Sequence, residues 1–210
     1  MLSLKRELSH VYWICGSPCA GKSAAARLLA QDLNLVLYST DEHAVLDHFR
    51  RATPCRQPFM WGLRDLADRY YDRSPLAIVE HSLGYLAEEF VMVLEDLRRM
   101  SQDRPVIAEG ICLLPELVNR VADYGRVVCL VPGEEFYRTT QPLRPFTAAL
   151  LRSHPDPLQA RENMTEAHLG LARHILESAR AAGFRIFVTG ERDSIQRNVE
   201  ILRDHFRLSS

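Results

Sequence analysis

The chain alternates short, wholly apolar runs with longer stretches in which apolar residues recur every three or four positions. The first pattern belongs to strands buried on both faces, and the second to helices with one face on a core. Val11-Tyr12-Trp13-Ile14-Cys15 predicts a first strand that stops at Gly16, and the alanine- and leucine-rich residues 22–32 predict the helix after it. Leu35-Val36-Leu37-Tyr38-Ser39 predicts a second strand that closes on Thr40-Asp41, followed by helical residues 42–51. Val106-Ile107-Ala108 predicts a third, ending on Glu109-Gly110, and residues 115–123 a short helix. Arg126 to Val131 reads as a fourth strand, ended by Pro132-Gly133. Phe184 to Val188 reads as a fifth, running into Thr189-Gly190 before a last helix near 193–206.

Two longer helices are expected. Over 76–100, Val79, Leu83, Leu86, Phe90, Val93 and Leu97 form one apolar stripe. Residues 159–182 form another that stops at Gly183, a usual helix-ending residue. Residues 52–75 have a different texture. Pro54, Pro58, Gly62 and Pro75 interrupt them, and Trp61, Tyr70 and Tyr71 stand among arginines and aspartates. They predict a loop-rich insertion holding a short helix. Residues 134–158 are rich in arginine and proline. The alternation of strands and helices, with no internal repeat, predicts one α/β domain over 1–210, its mostly parallel sheet covered on both faces. Ligands of such sheets sit beyond the carboxyl ends of the strands. The 16–23 loop, Asp41, Glu109 and the Thr189-Gly190 turn all fall there.

Gly16-Ser17-Pro18-Cys19-Ala20-Gly21-Lys22-Ser23 matches the phosphate-loop pattern G-x-x-x-x-G-K-[ST] in full, between a predicted strand and a predicted helix. From average composition, a chance match in 210 residues has odds of about one in a hundred. Glycines let the backbone curl so that its N–H groups converge on phosphate oxygens, and the following helix adds its positive end. Lys22 then reaches the β- and γ-phosphates, and the Ser23 hydroxyl is a ligand for Mg²⁺. Residues 16–23 with Ala24 are therefore the expected nucleotide-binding set. Cys19, beside Lys22 and a helix start, is in surroundings that can lower a thiol pKa.

Charge sharpens this picture. The formal net charge is -1, so a general affinity for nucleic acid has no electrostatic support. Of 26 basic residues only Lys5 and Lys22 are lysines, so Lys22 stands against the chain's arginine habit where phosphate chemistry wants a lysine. Five cysteines without paired spacing argue against a disulfide framework, and Cys15, Cys112 and Cys129 read as buried thiols. No zinc-type motif occurs, and His43 and His48 show no ligand pattern. No run approaches the ~20 apolar residues of a membrane span, and no leader pattern opens the chain. The expectation is a cytoplasmic protein with neither a membrane nor a nucleic-acid partner.

From the loop onward the order of elements resembles the P-loop kinases of small molecules. That group includes nucleoside monophosphate kinases, shikimate and gluconate kinases, chloramphenicol phosphotransferase and zeta-toxin-like kinases. The resemblance implies a P-loop NTPase three-layer sandwich with a five-stranded sheet and a lid at about 134–158. It also implies ATP and Mg²⁺ as cofactors and a small-molecule phosphate acceptor. Asp41 resembles the carboxylate that binds the acceptor hydroxyl and takes its proton, although Thr40 or Asp41 also suits a helix N-cap. Shikimate kinases carry two aspartates at this turn, and Ser39 replaces the first. Glu109 and Gly110 resemble the strand end that faces the acceptor or the water shell of the metal. In monophosphate kinases an aspartate-glycine with a later proline-arginine pair stands there, which leans this chain toward another hydroxyl compound.

Arg138, Arg144, Arg152 and Arg161 fall in the lid region, where arginines neutralise the transferring phosphoryl group; Arg144 and Arg152 are the favoured catalytic pair. Thr189 takes the place that holds the adenine, and Arg56, Trp61, Arg64 and Tyr70 of the insertion are candidates for the acceptor pocket. The expected activity is transfer of the γ-phosphate to a metabolite or antibiotic hydroxyl. A nucleoside or nucleotide kinase and a slow nucleotide-dependent switch are the alternatives. No N-K-x-D guanine motif favours the switch.

Overall fold

The computed structural model describes residues 2–66, 70–152, 154–190 and 194–208. The strands are β1 (Val11–Cys15), β2 (Val36–Ser39), β3 (Val106–Glu109), β4 (Val127–Pro132) and β5 (Arg185–Thr189). They form one five-stranded sheet in the order β2-β3-β1-β4-β5. Every pairing is parallel, with Ile14 opposite Glu109 on one side of β1 and Val128 on the other. The chain leaves β1 for β2 and β3 on one side and later crosses to β4 and β5 on the other. The end of β1 is thus the switch point where an open α/β sheet forms its crevice.

The helices are α1 (Leu2–Glu7), α2 (Lys22–Asp32), α3 (Thr40–His43), α4 (Phe49–Arg51), α5 (Pro58–Leu66) and α6 (Pro75–Arg99). Then follow α7 (Pro115–Val118), α8 (Glu134–Thr140), α9 (Pro145–Arg152), α10 (Pro157–Ala181) and α11 (Ile195–Phe206). The three longest of these helices start where local chemistry prescribes. Ser74 accepts from Ala77 N ahead of α6, Asp156 from Gln159 N ahead of α10, and Ser194 from Arg197 N ahead of α11. Pro75 and Pro157 occupy first turns, where a missing N–H costs nothing.

Strand alternation divides the core into two layers. Val11, Trp13 and Cys15 of β1 join Val127, Cys129 and Val131 of β4 against Leu86, Phe90, Val93 and Leu97 of α6 and Leu171 and Ile175 of α10. Ile14, Ile107, Val128 and Leu130 face the other way, onto Ala25, Ala26 and Leu29 of α2 and Val199 and Leu202 of α11. Wholly buried side chains such as Leu97 contribute about 2 kcal/mol each. Truncation of Leu97 to alanine would open a cavity costing about 2–5 kcal/mol. Cys15, Cys112 and Cys129 are buried free thiols, as expected. Among the described residues, no helix is long and apolar enough to cross a membrane.

Three local expectations need correction. The 52–75 segment is less loop-like than its prolines suggest. Pro58 opens α5, whose first amides Phe59 N and Met60 N donate to Glu88 of α6 at 3.0 and 2.9 Å, so a long-range carboxylate stabilises a helix that local sequence does not announce. The 134–158 segment is built mainly of α8 and α9, with Pro142, Pro145 and Pro157 in first helical turns and Pro155 in the bend before α10. The helix expected over 115–123 stops at Val118 and continues as turns.

Candidate functional site

The loop after β1 begins at a position only glycine can occupy. Gly16 has φ 138, and a Cβ there would lie 1.8 Å from the Leu130 carbonyl oxygen of β4. The loop then wraps back, with Cys19 held in the left-handed region at φ 67, a strained conformation for a residue with a side chain. Lys22, the first residue of α2, is buried and its Nζ donates to Ser17 O at 2.8 Å, which arches the ammonium over the loop. From α11, Asn198 Nδ2 donates to Ala20 O at 3.2 Å and braces the loop from below. Asn198 carries no motif signal and is legible in the fold alone.

At the end of β3, Glu109 is wholly buried. Its Oε2 accepts from Ser23 Oγ at 2.9 Å and its Oε1 from Ser39 Oγ at 2.7 Å. Among the described residues no ion pair is formed by Glu109, and its two hydrogen bonds come from neutral hydroxyls. Because Ser23 spends its proton on Glu109, its oxygen lone pairs are free to coordinate. The Ser23 and Glu109 oxygens are of the kind a hard divalent cation takes as ligands. Ser39 stands at the N-cap of α3 but spends its hydroxyl on Glu109 instead of capping.

Gly110 follows with φ +148, and a Cβ would lie 1.8 Å from Thr40 Oγ1, so only glycine allows the β2 and β3 ends to close here. Asp41 lies inside the first turn of α3 and not at its cap. Its Oδ1 accepts long contacts of 3.5 Å from Ile111 N and Thr40 Oγ1.

These ends border a cleft of about 530 Å³. Residues 18–24 of the loop and α2 form one wall, and Asp41, Glu89, Ile111 and Arg144 stand around the remainder. Ala44 and Val45, from the π-helical turn Ala44–His48 that joins α3 to α4, and Phe49 and Tyr85 make an apolar flank. Such π turns recur at functional sites. Arg144, between the Gln141–Leu143 turn and α9, reaches Cys19, so it overhangs the loop of residues 16–23. Burial pushes the Cys19 thiol up, against the pull of Arg144 and Lys22. The surroundings of Cys19 therefore raise its thiol instead of lowering it.

Of the four lid arginines, Arg144 lines the cleft. Arg138 is tied to Glu134 at 2.9 Å and Glu166 at 2.6 Å, and Arg152 and Arg161 are exposed. Arg56 pairs with Glu95 at 2.8 Å on the outer surface of α6. Trp61 lies half-buried on α5. The Arg64 and Tyr70 side chains lie outside what the structure describes. Thr189 is buried at the end of β5, paired with Pro132, and its carbonyl accepts from Gly133 N at 2.8 Å. It does not border the cleft.

Glu89 is the residue that motif reasoning missed. It is buried on α6 between the stripe residues Leu86 and Phe90, and a carboxylate inside an apolar stripe is the signal that reveals it. His48 Nδ1 lies 3.3 Å from Glu89 Oε1, and His48 Nε2 lies 3.0 Å from Asp96 Oδ2. Burial pulls the His48 pKa down, but the Glu89 and Asp96 hydrogen bonds outweigh it and hold the imidazole above its ordinary value. Asp47, His48 and Asp96 place ligand-type atoms within 4.8 Å of one another. Arg51 fills that position, with Nε 2.8 Å from Asp47 and Nη2 2.9 Å from Asp96.

No family model matches the chain, and no curated protein matches it.

Proposed function

We propose that this chain is a P-loop kinase that uses ATP to phosphorylate a hydroxyl of a small molecule. The observation that carries this reading is one cleft bordered by a phosphate-loop sequence, by Asp41 and by Arg144, with Ser23 in its lining hydrogen-bonded to the buried Glu109. In this reading the loop amides and Lys22 hold the β- and γ-phosphates. Mg²⁺, when bound, is held by Ser23 with Glu109 ordering its water shell, and it supplies charge neutralisation of the phosphates.

Phosphoryl transfer asks little covalent chemistry of a protein and much alignment. Asp41 faces the cleft near the loop, where one carboxylate oxygen can hold the acceptor hydroxyl and receive its proton as the oxygen attacks. Arg144 carries a fixed positive charge to the equatorial oxygens of the transferring group. The 134–158 segment, which bears it, acts as the lid that excludes water.

A panel assay tests the reading. ATP consumption is measured with Mg²⁺ across sugars, hydroxy acids, nucleosides and amino alcohols. Stimulation by one chemical class, with product phosphate on a hydroxyl, is expected. ATP consumption indifferent to every acceptor, with nucleotide-dependent binding of another protein, would favour a switch instead.

A further inference from the structure

The acceptor half of the cleft differs in charge from the phosphate half. Lys22 and Arg144 are the cations among its described lining residues, and both stand at the loop. On the opposite side the charged lining groups are Asp41 and Glu89, set among Ala44, Val45, Phe49 and Tyr85. Behind Glu89, the carboxylates Asp47 and Asp96 meet His48 and Arg51, with Arg99 at 3.8 Å from Asp96. Even with His48 protonated, four carboxylates (counting Asp41 and Glu89) outnumber three cations. A phosphate or carboxylate on the acceptor would meet like charge in a partly desolvated pocket, which costs more than in water.

Resting on the kinase reading above, we propose that the acceptor is an amino alcohol: a hydroxyl compound with a protonated amine beside an apolar portion, and that Glu89 is its specificity residue. The ammonium sits against Glu89, the apolar part lies on Phe49 and Val45, and the hydroxyl is left for Asp41. Glu89 suits the task because it is preset. It is fixed by His48 and so loses little freedom when a ligand binds. Burial pushes the Glu89 carboxyl up, His48 pulls it down, and the Asp41 charge raises it again, so an incoming cation relieves a strained ionisation.

The test uses three matched probes that share a phenyl ring and a benzylic hydroxyl: 2-amino-1-phenylethanol, 1-phenylethane-1,2-diol and mandelate. Each is titrated into the full chain by calorimetry, with and without Mg²⁺ and a non-hydrolysable ATP analogue. The amine should bind at least about tenfold more tightly than mandelate and severalfold more tightly than the diol. In Glu89→Gln the preference for amine over diol should fall to about one. Mandelate binding as tightly as the amine, no saturable binding of the amine, or a preference unchanged in Glu89→Gln would each overturn the proposal. The wild-type comparison needs no variant, so it decides the matter even when loss of the His48 contact unfolds Glu89→Gln. A separate titration of the ATP analogue with Mg²⁺ into the chain without any probe reads nucleotide binding, so failure of the kinase reading is distinguishable from failure of the amine assignment.

Discussion

Ser23 and Glu109 stand 86 residues apart in the sequence and meet at 2.9 Å, the hydroxyl of one donating to the buried carboxylate of the other. This contact joins the start of α2 to the end of β3. Glu109→Gln keeps the shape and removes the charge. Mg²⁺ should strengthen ATP binding to the native chain and do so about 10–100-fold less well in the variant. Nucleotide binding in EDTA should be the same for both. Titration of ATP with and without Mg²⁺ measures the two effects, and an unchanged Mg²⁺ dependence would remove Glu109 from the metal site.

Asp41 separates transfer from binding. Its side chain caps no helix and faces the cleft. Asp41→Asn should leave ATP affinity within a few-fold and lower turnover by roughly 10²–10⁴, the range for loss of a positioned base. Initial rates beside a nucleotide titration check it. Parallel loss of both would place Asp41 at the metal instead.

Arg144 and Arg152 were equal candidates by sequence, and geometry parts them. Arg144→Ala should reduce turnover by about 10²–10³, whereas Arg152→Ala should change it less than about twofold. A second readout needs no acceptor. Arg144 favours the Cys19 thiolate, so its removal should raise that thiol further and slow alkylation of Cys19 by iodoacetamide. Faster alkylation would show that Arg144 does not rest on the loop.

His168 should give the fold a pH slope. Burial, with some help from the Arg144 charge, lowers its pKa from 6.5 to about 4, and its Nδ1 lies beside Tyr137 Oη. A histidine lowered on folding binds its proton more readily when unfolded. Its contribution is therefore complete above pH 6.5 and is lost as pH falls toward 4. Between pH 7 and 5 the loss should be about 1–2 kcal/mol, allowing for the part of the ring that water reaches. Urea unfolding of the native chain and of His168→Gln at both pH values checks this, with a flatter slope expected for the variant.

Much of the fold is legible because its signals are local. The five strands and the phosphate loop are contiguous patterns, and α2 begins at Lys22 and ends at Asp32 as the alanine- and leucine-rich run predicts. The hidden parts depend on distant partners. Helix α5 rests on Glu88 of α6, and no spacing rule links Phe59 to a residue 29 positions on. Glu109 was visible as a strand-end acid, but its tie to Ser23 follows from the insertion of β3 beside β1, a matter of strand order. The cap reading of Asp41 fails because helical geometry starts one residue earlier, at Thr40, while Ser39 is drawn away to Glu109.

Residues 16–23 are expected to hold a nucleoside triphosphate through Lys22. Calorimetric titration of Mg·ATP into the native chain and into Lys22→Ala tests this most directly, with urea unfolding of both to confirm an intact fold. Saturable binding of one nucleotide per chain is expected, weakened at least about 100-fold in Lys22→Ala, because the charged hydrogen bonds to the phosphates are lost from a buried ammonium. Lys22→Arg should also bind poorly, since a planar guanidinium does not fit the space of an ammonium arched over Ser17. No heat of binding in the native chain, or equal affinity in Lys22→Ala, would contradict the account.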